Sequence, residues 1–184
     1  MALTLIKEDG TGKVDANSYA SAADGDAYFD GHLYATAWTA ASTGNKEKAL
    51  VFATRLIDSQ YQFNGWKAKD EQALQWPREN CPDPDKGQSA VILLRLRGAN
   101  FVDVDVVPKG VSDAACELAR ELLILDRTTA PPGEGLSYTY TGTDGIGYSK
   151  RDARAIISHV AQAMLAKYGS QVSEGSGAVR LVRA

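Results

Sequence analysis

The sequence has few of the residues that bind metals, form disulfides or act as catalytic nucleophiles. Its 184 residues include two cysteines, Cys81 and Cys116, and two histidines, His32 and His159. Two cysteines are too few for a disulfide framework, and none of these four residues has the spacing of a zinc site. We therefore expect a protein without a metal, a cofactor or disulfides, made in a reducing compartment.

Long apolar runs and an excess of basic charge are also missing. No uninterrupted apolar run, Ala90–Leu94 among them, exceeds five residues, whereas a membrane-spanning helix needs about 20. The formal net charge is −3, and a protein that binds nucleic acid mainly by neutralising phosphates is normally basic. The N-terminus has no signal-peptide pattern. We expect a soluble cytoplasmic protein with no membrane partner.

The common catalytic motifs are missing as well. Gly10–Lys13 resembles the end of a phosphate-binding loop, but Lys7 and Val14 stand where that loop requires Gly and Ser or Thr. A turn is the favoured interpretation of these residues. The sequence therefore predicts a protein that is not an enzyme. The remaining catalytic alternative is a Cys and a His that meet in a cleft.

Apolar residues at steps of three and four predict most of the regular structure. They indicate helices over Ala22–Phe29, Asn45–Gln62, Pro108–Arg127 and Lys150–Tyr168, with a weaker helix or a loop over Thr36–Gly44. The proline-rich residues 65–88 exclude a long helix. We predict a mainly α fold, a bundle of three to five helices that forms one domain over residues 1–168.

Two further segments have the pattern of arms that leave this bundle. Residues 88–107 alternate apolar and charged residues around Gly98–Asn100, which predicts an inserted β-hairpin with Arg95 opposite Asp103. The C-terminal residues 169–184 are small and polar, apart from a short strand-like pattern around Leu181. This extended tail is either disordered or an arm that binds a neighbouring molecule.

The strongest pattern for nucleic-acid binding combines aromatic and basic side chains. Its members are Trp66, Trp76, Tyr138, Tyr140, Lys67, Lys69 and Arg78. Aromatic rings beside cations can stack the bases of single-stranded DNA. The alternative is that the tryptophans pack an irregular loop onto the helices. We favour packing because the chain has no excess of basic charge.

Three stretches in order carry a resemblance to a known family. They are Ala16–Phe29, Lys48–Asp58 leading to Leu74–Arg78, and Val107–Ala119. The motif positions within them are Asn17, Ser18, Tyr19, Asp26, Tyr28, Trp76, Pro77, Arg78, Pro108 and Val111. Over residues 14 to 127 the chain resembles the head–tail connector (adaptor) proteins of tailed bacteriophages. Many of these carry the label DnaT-like single-stranded DNA-binding protein.

The resemblance implies a structural protein of the virion neck, which is in the host cytoplasm during assembly. It implies a ring of identical subunits, twelve in number, that docks on the portal protein and binds a downstream neck or tail protein. DNA would pass through the channel without sequence-specific binding, and an acidic balance suits that role because like charges repel. The candidate contacts with other subunits or the portal are Arg95, Asp103, Tyr138, Tyr140, Arg180, Leu181 and Arg183.

The chain departs from the family pattern in two places. The hairpin over residues 88–107 has the character of an insertion, and Gly25 stands where a better helix former is expected. The alternative function is the one in the family label, a single-stranded DNA-binding protein of phage replication.

Overall fold

A computed structural model describes residues 3–83, 85, 101–129, 136–139, 146–148 and 155–172. Within these ranges the chain forms five helices and six short strands. The helices are α1 (Ala22–Phe29), α2 (Thr36–Thr39), α3 (Thr43–Gln60), α4 (Lys109–Leu122) and α5 (His159–Leu165). The strands are β1 (Tyr61–Phe63), β2 (Trp66–Lys67), β3 (Arg78–Glu79), β4 (Leu136–Thr139), β5 (Ile146–Tyr148) and β6 (Gly169–Gln171).

The strands form antiparallel pairs, β1 with β6, β2 with β3, and β4 with β5. In the first pair Tyr61 lies opposite Gln171, and Phe63 lies opposite Gly169. The prediction of a mainly α helical bundle is therefore wrong, because the described chain is mixed α/β. The strands escaped the sequence pattern because each has only two to four residues, too few for a clear period of two.

The core lies where α4 packs against both α3 and α5, with α1 against α3 and α4 and α2 against α4. The buried positions of α4 are small, apart from Val111, Glu117 and Leu118; the others are Ala114, Ala115, Cys116 and Ala119. Small side chains allow neighbouring helices to approach closely, so burial extends almost all the way around α4.

Serine side chains cap the starts of α1, α3 and α5. Ser21 caps α1: its Oγ accepts a hydrogen bond from the Asp24 amide at 3.2 Å, and Asp24 accepts one from the Ser21 amide at 2.7 Å. This reciprocal capping box confirms the predicted start of α1. Ser158 caps α5 in a similar way, accepting from the Ala161 amide at 3.3 Å. The helix predicted from Lys150 therefore begins only at His159.

The described half of the predicted hairpin is not a regular strand. Phe101 forms a single antiparallel bridge with Pro82, and the Val102 amide donates to the Cys81 carbonyl at 2.9 Å. The chain then turns, and the Val106 amide donates to the Asp103 carbonyl at 3.2 Å. Only Val102 of the alternating valines is buried. Arg95 and the hairpin loop lie outside the described residues.

Trp38 explains why glycine occupies position 25. Gly25 lies inside α1 and is buried. A Cβ atom at this position would overlap the indole ring of Trp38, which is itself fully buried. The glycine therefore lets α1 and α2 pack together, and this contact outweighs the low helix propensity of the residue.

Replacing Gly25 with Ala should destabilise the protein although alanine is the better helix former. Overpacking of this kind costs about 1–3 kcal/mol, against a gain of up to about 1 kcal/mol in propensity. Chemical denaturation measures the difference. The matched control is Gly44→Ala, also in a helix but with open space around its Cα, which should be neutral or stabilising. Equal stability gains in both variants would contradict the packing argument.

Candidate functional site

Tyr19 and Asp58 form a junction between two of the stretches that carry the family resemblance. The Tyr19 hydroxyl donates to Asp58 Oδ1 and accepts from the Gln75 amide at 3.1 Å and the Trp76 amide at 3.3 Å. Asp58 Oδ2 also accepts from the Gln75 amide, at 3.1 Å. The Tyr19–Asp58 junction thus ties the N-terminal segment and α3 to the loop that precedes β3.

Asn17 and Ser18 hold the backbone just before this junction. Asn17 Oδ1 accepts from the Ile6 amide at 2.8 Å, and its Nδ2 donates to the Thr4 carbonyl at 2.9 Å. Ser18 Oγ donates to the Ala20 carbonyl at 2.7 Å. Both side chains satisfy backbone groups of the extended N-terminal segment. Among the described residues, the strand pairing of this segment is limited to a bridge between Lys7 and Ser18.

The Trp76–Pro77–Arg78 motif lies on the inside of the loop. Trp76 is fully buried and is joined to Pro77 by a cis peptide bond. The Arg78 guanidinium donates to the carbonyls of Asn64 at 2.8 Å and Gly65 at 2.6 Å. Arginine can satisfy several carbonyls at once because its donors are fixed in one plane. This motif therefore organises the loop.

The remaining motif positions also stabilise the fold. Asp26 Oδ1 accepts from Trp38 Nε1 at 2.8 Å and from Lys46 Nζ at 2.7 Å. Tyr28 donates to Glu117 Oε1 at 3.0 Å. Pro108 precedes the first turn of α4 and accepts a hydrogen bond from the amide of buried Val111 at 2.9 Å.

The sequence analysis missed the buried carboxylate of Glu117, where three polar side chains meet. Besides Tyr28, Glu117 contacts His32 Nε2 at 3.4 Å and Arg120 Nη2 at 3.0 Å. Burial of the Tyr28 hydroxyl, together with the neighbouring Glu117 charge, raises the pKa of Tyr28. The sequence signal for a buried Glu117 was its spacing, because it lies three residues after Ala114 on the apolar face of α4.

The aromatic and basic residues considered for DNA binding do not share one surface. Trp76 and Arg78 are buried. Lys67 donates to the Gln72 carbonyl at 3.2 Å and Lys69 to the Thr11 carbonyl at 2.6 Å. Trp66 is 58% exposed and donates to Glu79 at 3.0 Å. Of the two tryptophans in this set, Trp66 is the one whose ring a base can reach.

The Gly10–Lys13 loop, which resembles a phosphate-binding loop, binds the carboxylate of the protein's own Glu8. Glu8 is fully buried, and its Oε1 accepts from the amides of Gly10 and Gly12, both at 2.9 Å. Its Oε2 accepts from the Lys13 amide at 2.8 Å. Gly10 and Gly12 have positive φ angles, which aim successive amides at one point. The Glu8 carboxylate occupies the place of a phosphate.

Both cysteine thiols are buried, and neither has the lowered pKa of a reactive thiol. Burial raises the pKa of Cys116 to about 12 and also raises the pKa of Cys81. A nucleophilic cysteine needs a lowered pKa, because the thiolate is the reactive form. Within the described ranges, no group of three or more His, Cys, Asp or Glu residues is arranged to hold a metal ion. No described helix is long and apolar enough to cross a bilayer.

Two surface grooves and one loop present apolar or charged side chains to other molecules. We call the first the acidic groove; its lining contains three aspartates and one lysine, and its members are Asp83, Asp85, Val102, Asp103, Val106, Pro108, Lys109 and Tyr168. The second, the apolar groove, lies between the end of α4 and the start of α5 and contains Ile124, Leu125 and Val160. The loop after α1 carries Leu33 and Tyr34, which are 91% and 77% exposed.

The predicted contact residues are only partly within the described chain. Asp103 is exposed and lines the acidic groove, and Tyr138 is on β4. The other five, Arg95, Tyr140, Arg180, Leu181 and Arg183, lie outside the described residues. The first residues of the predicted tail, Gly169–Gln171, form β6.

A family model described as "Putative DnaT-like ssDNA binding protein" matches residues 3–184. The chain belongs to this DnaT-like family. The match confirms the family label that the sequence motifs indicated and extends it over almost the whole chain. No curated protein and no solved structure matches the chain.

Most of the motif positions make contacts within the fold. Trp76 and Arg78 are buried, and the Tyr19 hydroxyl holds the loop before β3. Asp26 and Tyr28 of α1 form hydrogen bonds with Trp38 and Glu117. These motifs therefore stabilise the fold.

The Tyr19–Asp58 junction predicts an unusual pH dependence of stability. Burial raises the pKa of Asp58 from 3.8 to about 6, against the hydrogen bonds from Tyr19 and Gln75 and the charges of Lys67 and Arg78. Between these two pH values the folded state binds more protons than the unfolded state, so stability falls as pH rises. At about 1.4 kcal/mol per pKa unit, this group alone lowers the free energy of unfolding by about 3 kcal/mol.

Asp58→Asn should remove this contribution to the fall of the free energy of unfolding with pH. Chemical denaturation at a series of pH values between 4 and 7 measures that slope. Tyr19→Phe is the matched control, because it removes the hydrogen bond and keeps the titrating carboxylate. It should retain the slope while losing stability. A slope in Asp58→Asn equal to that of the native chain would contradict this assignment.

Glu8→Ala should expose the amides of the loop over residues 8–13. Three N–H groups, two of them buried, lose a carboxylate acceptor, and each such hydrogen bond contributes about 1.5–3 kcal/mol. We expect faster hydrogen exchange at Gly10, Gly12 and Lys13 and a loss of several kcal/mol in stability. Asp9→Ala, which removes an exposed neighbouring carboxylate, should leave the exchange of Gly12 and Lys13 slow. Unchanged exchange in Glu8→Ala would refute the proposed role of Glu8.

Proposed function

We propose that this protein is a head–tail connector of a tailed bacteriophage, a ring subunit that docks on the portal and binds the next neck or tail protein. The observation that carries the proposal is the distribution of exposed apolar side chains. Leu33 and Tyr34 project from the loop after α1, and Ile124 is 57% exposed beside the apolar groove. Apolar side chains this exposed favour contacts with other proteins.

The electrostatic character of the chain supports the same role. The net charge is −3, and acidic side chains line one of the surface grooves. A channel for DNA works best when its walls do not retain phosphates, because like charge lowers non-specific affinity. The resemblance of Ala16–Phe29 and Leu74–Arg78 to connector proteins is consistent with this assignment.

Binding to purified portal rings tests the proposal directly. We expect the full-length chain to co-sediment with the portal rings of its own phage. The double variant Leu33→Ser/Tyr34→Ser should bind at least tenfold less tightly, because it removes two exposed apolar contacts. Val14→Ser changes another exposed apolar residue, at 65% exposure, elsewhere and should bind normally. Absence of the native chain from the portal fraction would overturn the proposal.

A second candidate function, single-stranded DNA binding, is favoured by the family description and by the exposed ring of Trp66. Stacking on such a ring contributes about 1–3 kcal/mol per base. A fluorescent oligonucleotide titrated across a salt series separates the two candidates. Salt-sensitive binding at micromolar concentration, lost in Trp66→Ala and kept in Phe52→Ala, would support DNA binding. The connector proposal predicts no binding at low salt.

A further inference from the structure

Trp66 is an exposed tryptophan whose ring is held by a neighbouring carboxylate. It is 58% exposed, whereas Trp38 and Trp76 are fully buried. Trp66 lies opposite Glu79 in the pairing of β2 with β3, and its Nε1 donates to Glu79 Oε2 at 3.0 Å. We call these two side chains the Trp66–Glu79 pair. A large aromatic ring that is exposed and held in one orientation is suited to binding another molecule.

The backbone around the Trp66–Glu79 pair is fixed from both strands. At the neighbouring position of the same pairing, Lys67 lies opposite Arg78. The Arg78 guanidinium donates to the carbonyls of Asn64 at 2.8 Å and Gly65 at 2.6 Å, immediately before Trp66. Because the strands are already held together, a ligand that binds the pair loses little affinity to the ordering of the protein.

Both members of the pair favour a positively charged ligand. The face of an indole ring is electron-rich and attracts cations within about 6 Å of its centre. Glu79 is exposed, and within the described chain it has no basic partner. One of its oxygens accepts from the indole, so the other is available to a ligand. The same carboxylate repels a phosphate, which disfavours a nucleic-acid backbone at this position.

The protein's own cations do not occupy the pair. Lys67 and Lys69, which follow Trp66 in the chain, each donate to a backbone carbonyl. In the part of the chain that the structure describes, no cation lies over the Trp66 ring, although Lys46 lies 5.2 Å from the ring centre of Trp38. The stretch between β2 and β3 offsets these two lysines with two acidic residues. The local preference for a cation therefore depends on the pair itself.

We propose that the Trp66–Glu79 pair binds an arginine side chain of a partner protein. A guanidinium is planar, so it stacks on the indole face while its N–H groups reach the carboxylate. A lysine ammonium is a point charge without this matching plane. The inference goes beyond the connector role and does not depend on it, because the pair includes neither Leu33 nor Tyr34.

The indole N–H resonance of Trp66 in the full-length chain tests this assignment. The resonance is identified by its loss in Trp66→Leu. We expect an acetylated tetra-arginine peptide to shift it. The matching tetra-citrulline peptide, in which a neutral urea replaces each guanidinium, should leave it unchanged. A dT oligonucleotide of similar length should also leave it unchanged, because the carboxylate repels phosphate.

Variants of the pair measure what each member contributes to binding a fluorescein-labelled tetra-arginine peptide. Glu79→Gln keeps an acceptor for the indole N–H and removes the charge, so it should bind about two- to fivefold less tightly. Trp66→Leu should show a loss of about two- to fivefold because it removes the aromatic face. The control Glu47→Gln makes the same change in charge near the start of α3 and should bind like the native chain.

Several results would overturn the inference. They are a citrulline peptide that shifts Trp66 as far as the arginine peptide, an equal loss of affinity in Glu47→Gln and Glu79→Gln, and native affinity in Trp66→Leu. A larger shift with the dT oligonucleotide than with the arginine peptide would overturn it in favour of base stacking. The assay contains no portal, so its outcomes are separate from those of the portal-binding experiment.

Discussion

The structure depends on one buried polar contact, the hydrogen bond between the Tyr19 hydroxyl and the Asp58 carboxylate. Around it, Gln75 and Trp76 donate their amides to the same two side chains. The N-terminal segment, α3 and the loop before β3 have few backbone hydrogen bonds in common, so this junction provides their connection. Burial of a carboxylate is costly, and the hydrogen bonds from Tyr19 and the Gln75 amide offset part of this cost at Asp58. The loop and the helix therefore stabilise each other.

This constraint changes how the family motifs are interpreted. The motifs around Tyr19 and Trp76 are far apart in the chain and meet at the junction, and Arg78 extends the same network to the carbonyls of Asn64 and Gly65. A motif that holds a loop in place identifies a fold without indicating a ligand. Function must then come from exposed features, such as the Leu33 and Tyr34 side chains and the acidic groove. These features led us to an assembly role.

Local signals predicted the helices well and the strands poorly. α1 was predicted from the cap candidates that precede it, and α3 and α4 from apolar residues that recur at helical steps, such as Val111, Ala115 and Leu118 in α4. The strands were missed because pairing between β1 and β6 joins the middle of the chain to its C-terminal part. No local pattern encodes such a pairing, and three-residue strands have too little periodicity to reveal it.

Local sequence patterns were also unable to predict the surroundings of single residues such as Glu8 and Gly25. Glu8 stands beside Asp9, and only the folded loop distinguishes the buried carboxylate from the exposed one. Gly25 was an anomaly in the sequence because its explanation, the Trp38 ring, lies on another helix. In contrast, the failed phosphate-loop spacing around Gly10–Lys13 could be judged from the sequence, since a motif defined by fixed positions can be excluded without a structure.

The most direct test of the connector role is a cryo-electron microscopy reconstruction of the neck in intact virions. The account predicts a ring of this chain directly beneath the portal, with α3, α4 and α5 traceable in every subunit and DNA passing through the centre. A neck that contains no copy of this chain, in virions whose portal and tail are complete, would contradict it.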